Sequence, residues 1–233
     1  PPKTSIIDLR ADYDILFECE NATFTCEVAP VESQIWWSFD GRPINSDSRH
    51  TLSNRTSVAT VRAYLNIMCV SVKDSGNYSC HASDLDFAEN VTKDIFLLVK
   101  VPVRVMAHGG REKVGSSVTL SCIFEGYPLG RVDWLKGRNL TTAKFITNDS
   151  EIEYHDITKL ESKLQLTDIS SQKNGTYHCR MFTEDGEVHA SVPLIVLDKP
   201  KTNFDFVKAI GATRVYLNWT VNDGNSPVKS YFI

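Results

Sequence analysis

At 233 residues, with 42% hydrophobic and 23% charged residues, the chain has the composition of a globular protein that buries its cores and the length for one or two domains. The net charge of −4 is spread along the sequence with no Lys/Arg cluster, which excludes the electrostatic footprint of a nucleic-acid or polybasic-membrane binder. No apolar run approaches the roughly 18 residues of a membrane span and the first residues lack a signal-peptide pattern, so any leader and anchor are expected to lie outside this sequence.

Residues 1–18 read as edge strands with Ile6, Leu9, Ile15 and Phe17 facing inward. A strand over 22–28 carries Cys26. The next, over 34–39, puts Ile35 and Trp37 on one face and Trp36 and Ser38 on the other. Asp40-Gly41-Arg42-Pro43 is a breaker cluster. Alternation in Ala63-Tyr64-Leu65-Asn66-Ile67 predicts a half-buried strand with Leu65 and Ile67 inward. Asp74-Ser75-Gly76-Asn77-Tyr78-Ser79-Cys80 is a tight turn running into a strand, with Tyr78 and Cys80 on its inner face. A strand over 93–101 then runs through Pro102 into Val103-Arg104-Val105 without a Gly/Ser tether, which predicts a stiff junction.

The same order recurs downstream. Strands are expected over 117–123 with Cys122, over 131–136 with Trp134 inward, and over 162–167. Gly175-Thr176-Tyr177-His178-Cys179 repeats the Gly-x-Tyr-x-Cys run, with Lys173 where the first repeat has Asp74. Asp185-Gly186 predicts a two-residue hairpin turn that sets Phe182 opposite His189, on the face away from Cys179 and Met181.

Two Cys…Trp…Tyr-x-Cys sets at similar spacing resemble the immunoglobulin superfamily. The resemblance implies an all-β chain of two tandem I-set-like sandwiches, residues 1–100 and 101–198, with inter-sheet disulfides Cys26–Cys80 and Cys122–Cys179. Cys19 and Cys69 then fall at one end of the first sandwich, where a third bridge is geometrically reasonable. The competing use of these cysteines, in metal binding or redox chemistry, lacks a Cys-x-x-Cys or clustered histidines. Val215-Tyr216-Leu217-Asn218-Trp219, Gly224, Val228 and Tyr231-Phe232-Ile233 resemble the first three strands of a fibronectin type III module, so 199–233 is expected to be a truncated, poorly supported module. Two immunoglobulin domains followed by such a module resemble the short neural cell-adhesion molecules.

Eight Asn-x-Ser/Thr sequons, at Asn21, Asn54, Asn77, Asn90, Asn139, Asn148, Asn174 and Asn218, exceed the roughly two expected by chance and point to an extracellular, N-glycosylated protein, at the cell surface or secreted. No nucleophile elbow, phosphate loop or zinc-spaced pair appears, so no enzyme activity, cofactor or metal is expected. What remains is recognition. If Trp37 and Cys80 point inward, then Trp36, Phe96 and Leu98 share the outer face of the first domain with Phe87 on the adjoining loop, and they are the expected partner-binding residues. Asn77 points to the same face. The partner is expected to be a cell-surface or secreted protein, a second copy included. The competing readings are a receptor or secreted antagonist that takes a soluble ligand at the junction of the two domains, and an inert spacer.

Overall fold

The computed structural model describes residues 3–86, 89–146 and 150–231. The chain divides into two compact units, Pro1–Pro102 and Val103–Ile233. Among the described residues, strands make up all regular structure apart from two 3-10 turns, Val72–Asp74 and Ser171–Lys173.

The first unit contains β1 (Ser5–Ala11), β2 (Ile15–Phe17), β3 (Ala22–Ala29), β4 (Gln34–Phe39), β5 (Arg42–Pro43), β6 (His50–Thr56), β7 (Val61–Ile67), β8 (Gly76–Ser83) and the first part of β9 (Asn90–His108). One sheet has the order β1-β3-β7-β6. The other runs β5-β4-β8-β9, with β2 joined in parallel to β9. The inner faces meet in a core of Phe24, Cys26, Trp37, Leu65, Ile67, Tyr78, Cys80, Leu97 and Val99. Strand alternation delivers these residues inward: on β3, β7, β8 and β9 they stand two positions apart, and on β4 Trp37 stands two from Ile35, which packs against the same core. Phe24 stacks on Tyr78 at 4.5 Å between ring centroids. The β4–β5 turn is Asp40-Gly41, and both residues take positive φ, as a hairpin matched to the strand twist requires.

The inward set predicted for residues 1–18 is corrected at two positions. Ile15 and Phe17 are about half exposed, whereas Leu16 is 4% exposed. The cause is β2's parallel pairing with β9, which sets Leu16 beside the core residue Val99 and turns Ile15 and Phe17 outward beside Leu98 and Lys100. A three-residue strand of consecutive apolar residues has no alternation of its own, so its neighbour decides its parity.

The second unit starts with the last residues of β9 and continues through β10 (Gly110–Lys113), β11 (Val118–Tyr127), β12 (Arg131–Lys136), β13 (Lys144–Ile146), β14 (Ser150–Asp156), β15 (Lys159–Leu166), β16 (Gly175–Thr183) and β17 (Gly186–Leu197). Its sheets run β14-β15-β11-β9 and β10-β17-β16-β12-β13, around Cys122, Phe124, Trp134, Leu160, Leu164 and Tyr177. The β16–β17 turn differs from expectation. Thr183 pairs with Gly186, so Glu184-Asp185 form the turn, Phe182 faces Glu187, and His189 faces Arg180. β18 (Lys201–Gly211) and β19 (Arg214–Asn222) follow as a two-stranded hairpin that is solvent-exposed along almost its whole length. The third strand expected of a fibronectin-like start is not formed among the described residues.

Candidate functional site

The outer face of the β5-β4-β8-β9 sheet is laid out in cross-strand rows. One row is Trp36, His81 and Thr92, the next is Ser38, Ser79 and Asp94, and Asn77 lies directly opposite Phe96 further along. The Trp36 and His81 rings stack at 5.2 Å with 7° between their planes. The His81 imidazole is itself bracketed by hydroxyls, Ser38 Oγ at 2.8 Å from Nε2 and Thr92 Oγ1 at 2.9 Å from Nδ1. Each hydroxyl can donate or accept, so either neutral tautomer is fully bonded, and the ring is held nearly parallel to Trp36. A serine–imidazole contact is half of a nucleophile–base relay, but here the far nitrogen meets a threonine rather than an orienting carboxylate, and Ser38 is buried. The geometry positions an aromatic platform. The register signal for it was already in the sequence, because His81 directly follows the inward Cys80.

Phe96 and Leu98 share this outer face, but they do not form one patch with Trp36. Phe96 lies four residues along β9 from Thr92 and Leu98 six, about 13 and 20 Å at strand rise. The Ser38–Ser79–Asp94 row separates the two ends. Phe96, 53% exposed, is grouped instead with Leu98 and with Ile15 and Phe17, which sequence reasoning had placed in the core. Phe87 lies outside the described residues. The face thus carries two apolar ends, a Trp36–His81 stack and an Ile15–Phe17–Phe96–Leu98 cluster.

The three disulfides are Cys19–Cys69, Cys26–Cys80 and Cys122–Cys179. Next to the first of these, Arg49 clamps the corner that leads into β8. Its guanidinium donates to Met68 O, Cys69 O and, at 2.6 Å, Asp74 Oδ2. Asp74 Oδ2 also accepts from Ser71 N and Ser71 Oγ, while Tyr78 Oη donates to Asp74 O. Burial pushes the Asp74 carboxyl upward, but the Arg49 and Ser71 hydrogen bonds outweigh it and hold the pKa below its ordinary value. In the second unit Tyr177 Oη makes the matching bond to Lys173 O, and Lys173 Nζ reaches Thr167 O. The tyrosine corner is kept without its carboxylate.

The core tryptophans differ in a way that neither repeat reveals alone. Trp134 Nε1 donates to Ser162 Oγ at 2.9 Å, and Ser162 pairs with Cys122. In the first unit Ala63 holds the matching place opposite Cys26, and buried Trp37 Nε1 has no partner among the described residues.

The sequon asparagines Asn21, Asn54, Asn77, Asn90, Asn139, Asn174 and Asn218 are all exposed, and Asn148 lies outside the described residues. In the second unit, Glu153, His155 and Glu161 come close enough to hold a cation, but the Lys163 ammonium already bonds Glu153 at 2.6 Å and lies 3.4 Å from Glu161. On that unit's outer face Arg180 lies over the Phe182 and Phe145 rings, 4.4 and 5.4 Å from their centroids.

Comparison with known families decides what these two sandwiches are. The immunoglobulin domain model matches residues 2–84 and the immunoglobulin I-set domain model matches residues 106–196. The chain belongs to the immunoglobulin superfamily. Tyrosine-protein phosphatase 69D of Drosophila melanogaster is 32% identical to this immunoglobulin-superfamily chain over 81% of its residues, but that match covers 13% of the phosphatase. Neural cell adhesion molecule 1 of Rattus norvegicus is 30% identical over 80% of the chain and 21% of its own length. The chain therefore spans about a fifth or less of these curated relatives. Among solved structures, the titin fragment Titin-A168169 superposes with a TM-score of 0.61 over 84% of the chain and 99% of the fragment; at 19% identity it shows the fold alone.

Proposed function

We propose that this chain is part of a non-enzymatic adhesion or recognition ectodomain, extracellular and N-glycosylated, which binds a protein partner through the outer β4-β8-β9 face of its first immunoglobulin domain. The observation that carries this reading is the display of Trp36, Phe96, Leu98, Ile15 and Phe17 on one sheet face, the aromatic and aliphatic anchors from which interfaces draw most of their energy. The similarity to a neural cell adhesion molecule supports a role in neural cell contact, at the cell surface or secreted. Residues 199–233 are read here as the start of a fibronectin type III module, on the strength of the Val215–Trp219 strand. The partner is a cell-surface protein or a second copy of this chain. Sedimentation of the glycosylated ectodomain over a concentration range tests self-association, and binding to a panel of cells tests other partners. Trp36→Ala and Phe96→Asp are each expected to weaken binding at least ~30-fold while the fold persists. Asn77→Gln serves as control, since a glycan opposite Phe96 limits access to that end. Trp37→Ala instead unfolds the domain, at a cost of ~3–5 kcal/mol. Normal binding by both outer-face variants, with loss in Phe182→Ala, would move the interface to the second domain.

A further inference from the structure

Asn174 stands at the corner before β16, in the sequon Asn174-Gly175-Thr176. Its Oδ1 accepts from Val196 N at 2.9 Å, the role Ser75 Oγ plays for Val99 N in the first unit. That bond fixes the amide plane, and a glycan is carried by Nδ2 at the other end of the same amide. Asn174 lines a polar cleft of about 320 Å³ together with Asp198, Lys201 and the turn after β19, Asp223 to Asn225. The turn is held in place by named contacts: Gly224 O accepts from Asp198 N at 2.8 Å, and Asn225 Nδ2 donates to Val196 O at 2.8 Å. Gly224 has φ +60°, and a Cβ there would stand 2.7 Å from Asp198 O, so the close approach requires glycine.

The cleft sits at the small end of the range for ligand sites, a size suited to one pyranose ring. Its lining includes Asp198, Asp223, Lys199, Lys201 and Asn222, with the Lys201 ammonium 3.5 Å from Asp198 Oδ2, so sugar hydroxyls and an acetamido group meet residues of both acceptor and donor chemistry. We propose that the first N-acetylglucosamine of a glycan on Asn174 fills this cleft and ties the second immunoglobulin domain to the β18–β19 hairpin. The proposal rests on the glycosylated reading above.

The test uses the whole chain secreted from glycosylating cells. Thr176→Ala removes the sequon and leaves Asn174 in place, whereas Thr176→Ser keeps the sequon. Glycopeptide mass spectrometry reads occupancy, and hydrogen exchange reads the amides of Asp198 and of residues 222–225. The expected result is an occupied Asn174, exchange at these amides at least ~5-fold faster in Thr176→Ala than in the wild type or Thr176→Ser, and protection that survives trimming of the glycan to its first sugar. Equal or slower exchange in Thr176→Ala, or an unoccupied Asn174 beside occupied Asn54 and Asn77, overturns the cleft assignment and leaves the glycosylated reading standing. If no sequon is occupied, both fall.

Discussion

Replacing Asp74 with alanine removes one carboxylate oxygen that serves three donors, Arg49 Nη2 at 2.6 Å, Ser71 N at 2.7 Å and Ser71 Oγ at 3.0 Å. The Arg49 side chain is 41% exposed and can return to water, so its share is discounted to roughly 0.5–1 kcal/mol. The Ser71 N–H loses a charge-assisted bond in a half-buried turn, worth about 1.5–2 kcal/mol. The expected loss for the first domain is therefore about 2–3 kcal/mol at pH 7, or ~10–20 °C in Tm for a domain of this size. The pH dependence carries the sign of a depressed carboxylate. The folded pKa lies below the unfolded value of about 4, so the stabilisation is complete above that value and is lost as pH falls through the folded pKa. The gap between the wild type and Asp74→Ala should be widest near neutral pH and close progressively in acid below about pH 4. Calorimetry of the intact chain measures the gap, and hydrogen exchange in β3 and β7 identifies which transition belongs to the first domain. Lys173→Ala, at the matching place in the second domain, removes only the exposed bond to Thr167 O and should cost less than ~1 kcal/mol. A Tm loss under ~3 °C for Asp74→Ala, or a gap as wide at pH 2 as at pH 7, would refute the clamp.

Three further outcomes are expected. Ala63→Ser supplies to Trp37 the hydroxyl that Ser162 gives Trp134, and should raise first-domain stability by about 1 kcal/mol in denaturant titrations; a loss of stability would show that the site has no room for the hydroxyl. Leu16→Ala should cost about 2–4 kcal/mol whereas Ile15→Ser costs less than ~1, and the reverse order in thermal melts would put β2 back in the register read from sequence. The Cys19→Ala, Cys69→Ala double variant opens a bridge across a separation of 50 residues, so the first-domain transition should fall by about 2–4 kcal/mol while the second stays in place.

Much of the architecture is local in origin, and local signals survive in a sequence. Period-2 alternation fixed which of Trp36 and Trp37 enters the core, because the inward Cys80 and the strand pleat leave one choice, and Trp37 is 2% exposed. The turn chemistry of Asp74–Cys80 located the tyrosine corner, and the shared corner of Cys19 and Cys69 located their bridge. Tertiary structure decided what depends on a neighbour distant in the chain. Ile15-Leu16-Phe17 has no alternation to read, and only the parallel pairing with β9 turned Ile15 and Phe17 toward Phe96 and Leu98. The same-face argument correctly grouped Trp36 with Phe96 by parity, yet parity carries no distance along the strand, and the cross-strand register offset the two by about 13 Å along the strand direction with a polar row between. Asn174 reads in sequence only as one sequon among eight; the return of Asn225 to Val196, across a separation that no local pattern encodes, made it the wall of a cleft.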